Sequence, residues 1–163
     1  MAAREPDVVE FDEQRRSPVV DRMVELAEAG AGWLNVSPGL DVDVPPPERT
    51  LLASIFGSKG PTVPLGTWTP AHGRDPSSVG IHHSEGTRAI ATLAERNVAV
   101  PLGWRKLQDH PKRGLVLALP PPPGGGVPSA DELDTVLDWV LRATGALCRV
   151  RRTGEWRAYV HHR

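Results

Sequence analysis

The sequence predicts a single α+β domain of 163 residues, a mostly antiparallel sheet covered by amphipathic helices. Three observations predict it. Several stretches repeat apolar residues at helical spacing behind recognisable caps, which argues for helices that each bury one face. Between them lie short apolar or alternating runs bounded by Gly, Pro, Asn and Asp, which argue for strands. Leu, Ile, Val and Phe make up about 24% of the chain, above the roughly 20% below which disorder becomes the default, and the formal net charge is only −1. A chain of this length buries a real core.

Taken in order, residues 1–16 mix charges with few apolar groups and are expected to lie loosely on the surface. A first helix is predicted over about 18–29. Ser17 is its N-cap, Pro18 occupies the first helical position, and Val19, Met23, Leu26 and Ala27 form its stripe before Gly30 and Gly32 stop it. Residues 33–36 read as a strand ended by Ser37-Pro38-Gly39. The loop 38–47 follows, and its proline triplet is a stiff connector. A short helix is predicted next, with Leu51, Leu52, Ile55 and Phe56 on one face. Residues 57–61 bring Gly, Ser and Lys together, but without the spacing or the strand-to-helix setting of a phosphate loop, so a turn is the better reading. Residues 62–68 form a strand in which Pro64 requires an edge or a bulge.

From residue 78 the predicted order is strand, helix, strands, helix, strands. A short strand at 79–82 leads to a helix capped by Ser84, with Ala89, Ile90, Leu93 and Ala94 buried and Asn97 as a left-handed stop. Extended segments at 98–102 and 105–107 precede a turn at 108–114. The unbroken apolar run 115–119 is the most hydrophobic in the chain and reads as a buried strand. Residues 120–126, four prolines and three glycines, form a connector. Ser129 and Glu132 make a capping box ahead of Leu133, Val136, Leu137, Val140 and Leu141, with Gly145 closing the helix. Residues 148–152 and 155–161 flank Thr153-Gly154, a two-residue hairpin signal. The order within 78–161 resembles a ferredoxin-like βαββαβ core preceded by an N-terminal helical and strand extension. No repeat at a fixed period is present.

Charge is unevenly spread: residues 1–50 carry a net −6 and residues 101–163 a net +4. The favoured explanation is an acidic N-terminal element packed on a basic C-terminal sheet, because strong nucleic-acid binders are seldom neutral overall. A single cysteine, Cys148, forms no internal disulfide. No apolar run approaches the roughly 18 residues of a membrane span, and no signal segment opens the chain, so a cytoplasmic protein without membrane contact is expected. Arginine outnumbers lysine 16 to 3, a bias common in GC-rich bacterial genomes.

Four candidate sites follow. His82 and His83, with His72 and His110, suggest a metal, but neighbouring strand residues point to opposite faces and no thiolate or carboxylate falls in register, so neither metal nor cofactor is expected. The favoured site is for a small anionic ligand. The amides opening the helix after His83, with Ser84, Thr87 and Arg88, would hold it together with Arg105, His110 and Arg113 from the basic segment that follows. The C-terminal hairpin, with Arg149, Arg151, Arg157, Tyr159 and His161 on one face, would suit nucleic acid, although a solvated sheet face has the same pattern. Cys148 lacks a paired base and G-x-S-x-G is absent. The five tryptophans read as core anchors, with Trp139 off its helix's main stripe and suited to a protein contact. The expected function is therefore a binding or interaction module, with a homodimer among its expected states. The alternatives are a small enzyme using His83 or His110 as acid–base with Arg105 orienting substrate, and a nucleic-acid-binding protein.

Overall fold

The computed structural model describes residues 4–41, 63–84 and 89–163. The helix expected around 51–56, the 57–61 turn, and Thr87 and Arg88 lie outside them. The chain is a mixed α+β protein dominated by one sheet. Its elements in order are β1 (Asp7–Asp12), α1 (Ser17–Ala29), β2 (Trp33–Leu40), β3 (Leu65–Thr69), β4 (Ser78–His82), α2 (Ala89–Glu95), β5 (Arg105–His110), β6 (Gly114–Ala118), α3 (Ala130–Ala146) and β7 (Arg152–His161). The seven strands form one sheet in the order β1-β7-β2-β3-β4-β6-β5, and every neighbouring pair is antiparallel. None of the described helices is long and apolar enough to cross a membrane.

Alternating directions make β1, β2, β4 and β5 run one way and β3, β6 and β7 the other. The links through α1, α2 and α3 therefore each join parallel strands. The first two step one way across the sheet on one set of strands, and the third steps back on the other set. A single crossover hand then places all three helices on the same side. Burial agrees. Phe11, Leu34, Val36, Trp68, Val79, Ile81, Leu115, Leu117, Trp156, Ala158 and Val160 alternate along their strands, and they share one buried cluster with Val19, Met23 and Leu26 of α1, Leu93 of α2 and Leu133, Leu137 and Leu141 of α3. Most residues of the opposite parity stay partly exposed, with Gly114 and Ala118 of β6 buried.

The element order from β4 onward is βαββαβ, but the adjacency differs from a ferredoxin-like unit. β7 does not lie beside β4; β2 and β3 stand between them. The N-terminal half is thus part of the same sheet and not an extension of it.

Local readings fare differently according to what stabilises them. The capping box of α3 is present as spaced: Ser129 Oγ accepts from the Glu132 amide at 3.2 Å and the Glu132 carboxylate from the Ser129 amide at 2.7 Å. Asn97 takes its left-handed conformation at φ 60°. Helix α1 starts one residue early, with Arg16 at the N-cap and Ser17 inside the helix. No side chain caps this end; Arg16 instead forks across to the next element, its Nε and Nη2 donating to the two Asp134 oxygens at 2.9 and 2.8 Å and tying α1 to α3.

Three readings are corrected. Residues 7–12 are an edge strand, not a loose tail, because Val9 and Phe11 face the helices while the backbone pairs with β7. The C-terminal hairpin is one continuous strand. Both sides of β7 are occupied, and Gly154 at φ 92° serves a bulge in which residues 153–155 face Gly39. β2 runs through Pro38 to Leu40, since its pairing with β3 has already ended at Val36 and Gly66 and no ladder partner on that side needs the missing N–H.

The acidic beginning and basic end do meet. Arg157 pairs with Glu10 at 3.1 Å, Arg152 with Glu13 at 3.8 Å and His162 with Asp7 at 3.0 Å. The Asp134 carboxyl is held below the usual carboxylate range, chiefly by its hydrogen bond from Arg16. A carboxyl depressed in the folded state adds stability above its unfolded value, about 3.9, and that stability disappears as pH falls through the folded value. Asp134→Asn is therefore expected to lower Tm at neutral pH, and the gap to the parent protein should shrink only as pH falls below the ordinary carboxylate value of about 3.9. Melting curves across that range check this; a gap that persists in acid would refute it.

Candidate ligand-binding cavity

Two residues of the expected anion site, Thr87 and Arg88, lie outside the described residues, and Arg105 and His110 are held apart on β5. The strand register puts Arg105, Gln108 and His110 on the face away from the helices, and Lys106 and Asp109 toward them. Arg105 and His110 stand at opposite ends of β5, about 17 Å apart at the usual strand rise of ~3.4 Å per residue. His83 and Ser84 are buried just beyond β4, and Arg113 lies exposed in the turn before β6. At the described start of α2, the position an anion would take is held by the chain's own carboxylate. Asp109 Oδ1 accepts from the Ala89 amide at 3.2 Å and Oδ2 from the Ile90 amide at 3.5 Å. α2 does pack on β6, as the sequence suggests, but Asp109 occupies the space between its amides and the basic turn.

The histidines are dispersed and structurally engaged. His72 Nδ1 donates to the Gly30 carbonyl at 2.6 Å, His82 Nε2 to the Lys112 carbonyl at 2.9 Å, and His110 Nδ1 accepts from the amides of Lys112 and Arg113. Among the described residues no three His, Cys, Asp or Glu side chains gather as metal ligands. On the open sheet face, His161 stacks on Trp33 with centroids 4.6 Å apart and accepts from Asn35, which itself accepts from Thr67. Arg157, grouped in the sequence reading with Tyr159 and His161 as a basic face, is matched there by Glu10.

A different site emerges at one end of the sheet. Thr69, Ser78, Ala118 and Arg105 stand in a row across β3, β4, β6 and β5. The segments leaving that row share one end: loop 70–77, the turn at 101–104 and the connector 119–128. Together with the first half of α3 they line a cleft of about 790 Å³ that is partly open to solvent. Its walls are mainly tryptophan, proline and aliphatic surface, from Trp68, Pro70, Trp104, Leu119, the prolines 120–123, Val127, Leu133, Val136 and Trp139.

These walls are held in place. Trp139 is buried, not a surface contact; its indole N–H donates to the Ala99 carbonyl at 2.9 Å, and it packs edge-on against Trp104 with centroids 5.0 Å apart. The His72–Gly30 bond fixes loop 70–77 to the end of α1. Trp68 is almost fully buried, and its N–H has no acceptor among the described residues.

Most polar groups at the cavity are committed elsewhere. Glu132 caps α3, and Asp138 accepts from Arg16 at 3.1 Å and Arg142 at 2.9 Å. Arg74 and Asp75 stand exposed at the mouth. The arrangement is a pre-formed, mostly apolar container of the size that holds small molecules, typically about 300–1,000 Å³. The cavity has no periodic signature in the sequence because it is built from connectors. The legible signal was the accumulation of proline and tryptophan immediately beyond strand ends.

The chain matches no known family model, no curated protein and no solved structure.

Proposed function

We propose that this protein is a non-catalytic binding module whose ligand is a small, largely apolar molecule held in the Trp/Pro-walled cavity. The volume and lining of that cavity carry the reading. A container of this size with fixed aromatic walls excludes water from an apolar guest without needing to rearrange, so little ordering cost opposes binding. Binding is favoured over catalysis because two of the three carboxylates along the cavity are tied up, Glu132 as a helix cap and Asp138 between Arg16 and Arg142, while Asp75 stands exposed at the mouth. The acid–base alternative built on His83 or His110 with Arg105 is less well supported, since Arg105 and His110 lie at opposite ends of β5.

The test is occupancy. A neutral naphthalene-type dye is expected to bind saturably with enhanced emission and to quench Trp104 fluorescence. Thr135 lies exposed on α3 at the cavity wall. Thr135→Trp is expected to fill the space and weaken dye binding at least tenfold, with Tm within a few degrees of the parent. Unchanged affinity in that variant would move the site elsewhere.

A further inference from the structure

The two free edges of the sheet differ in charge. β1 at one edge is acidic, with Asp7, Glu10 and Asp12. The β5–β6 hairpin at the other carries Arg105, Lys106, Lys112 and Arg113. Several arginines elsewhere find acids: Arg15, Arg16, Arg142, Arg152 and Arg157 all lie within 4.0 Å of a carboxylate. Among the described residues none of the four hairpin cations does so. Among the described residues their charge is thus unpaired, and it is gathered on β5 and the turn that follows it.

That edge also offers backbone. β5 ends the sheet, so one row of its N–H and C=O groups has no strand beside it among the described residues. The bulge between Lys106 and Gln108 leaves Leu107 52% exposed, and Leu102, in the turn leading to β5, is fully exposed. Cations and a bulge protect an edge from indiscriminate strand pairing. The same cations select in favour of one kind of strand, because charge discriminates by repelling wrong partners as well as attracting right ones.

We propose that the β5 edge takes an extended acidic segment of another protein as an eighth strand. Its carboxylates would lie at both ends, against Arg105 and Lys106 on one side and Lys112 and Arg113 on the other, with an apolar side chain between them against Leu107. Main-chain bonds to a free edge supply affinity in such additions, and the flanking side chains supply choice. Nucleic acid has no backbone to continue the ladder, and the hairpin shows no exposed aromatic on which a base would stack.

The probe is a fluorescein-labelled, end-blocked peptide EEVTVTEE, with KKVTVTKK as its control, titrated into the intact chain at low salt. The acidic peptide is expected to bind saturably, at least tenfold more tightly than the basic one, and to slow amide hydrogen exchange across 105–110. The double variant Arg105→Glu, Lys112→Glu should lose about tenfold or more in affinity while keeping its Tm and its dye binding in the separate cavity. Equal binding to that variant, binding without protection of β5, a preference for single-stranded oligothymidylate, or self-association that the double variant abolishes would each overturn the proposal.

Discussion

Gly32→Ala is expected to cost about 3 kcal/mol of folding stability, one of the largest effects of any single methyl group added to this protein. Two penalties coincide. Gly32 sits at φ 84°, where an L side chain pays roughly 1–2 kcal/mol of backbone strain. An ideal Cβ there would also lie 2.3 Å from the His161 carbonyl oxygen, which is backbone and has no rotamer to escape into. The end of β7 would have to move, and overpacking of this kind typically costs about 1–3 kcal/mol. At roughly 2–4 °C per kcal/mol for a chain of this size, Tm should fall by about 6–12 °C. Gly73→Ala isolates the strain: φ is 57° there and nothing lies within 4 Å of the added carbon, so a drop of only about 1 kcal/mol is expected. Equal losses in the two variants would show that the clash with β7 contributes nothing. Because His161 stacks on Trp33, the Gly32 variant should also change the near-UV signal of that pair.

How much of this was legible in the sequence follows from what stabilises each part. Elements fixed by local chemistry read correctly: the α3 capping box, the Asn97 stop and the alternation of Trp156, Ala158 and Val160. Elements fixed by a distant partner did not. Residues 7–12 look like a tail until β7 is placed beside them, and Thr153-Gly154 looks like a turn until β1 and β2 flank it. The βαββαβ order from β4 to β7 was readable, yet sequence order carries no information about which strands intervene, and β2-β3 separates β7 from β4. Which face Arg105 takes was illegible for a reason of strand parity. Asp109 and Arg105 are four residues apart, which in an unbroken strand means one face, but the bulge at Leu107 adds a residue and sends them to opposite faces. No side-chain pattern announces that bulge. The cavity was hidden for a related reason: connector residues 70–77, 101–104 and 119–128 become neighbours only because Thr69, Ser78, Ala118 and Arg105 align in register.

Gly66→Ala is the counterpart at the sheet–helix interface and is expected to cost about 2–3 kcal/mol through packing alone. Gly66 lies mid-sheet, paired with Val36 and Ile81, in an ordinary extended conformation without backbone strain. An added Cβ would sit 2.6 Å from Thr144 Oγ1, 2.7 Å from Val140 Cγ1 and 2.9 Å from Val36 Cγ2. Thr144 and Val140 belong to α3, so the helix packs this close to β3 because residue 66 has no side chain. The Thr144 hydroxyl is buried with no partner among the described residues, so trimming it removes no hydrogen bond. Adding Thr144→Ala to Gly66→Ala should therefore recover part of the loss, a coupling of about 1 kcal/mol between neighbours that a double-mutant cycle reads directly. Gly80→Ala on the adjacent strand is the control, since its nearest neighbour would be the Leu115 carbonyl at an ordinary 3.6 Å, and a near-neutral result is expected. The same displacement has a functional consequence. α3 also carries Leu133, Val136 and Trp139 into the cavity wall. If α3 tilts to admit a methyl at 66, dye affinity should fall with stability in Gly66→Ala and stay at the parent value in Gly80→Ala. Loss of stability with dye affinity intact would mean that the helix yields locally around Thr144 and that the cavity wall is held independently, by the Trp139–Ala99 and Trp104 contacts.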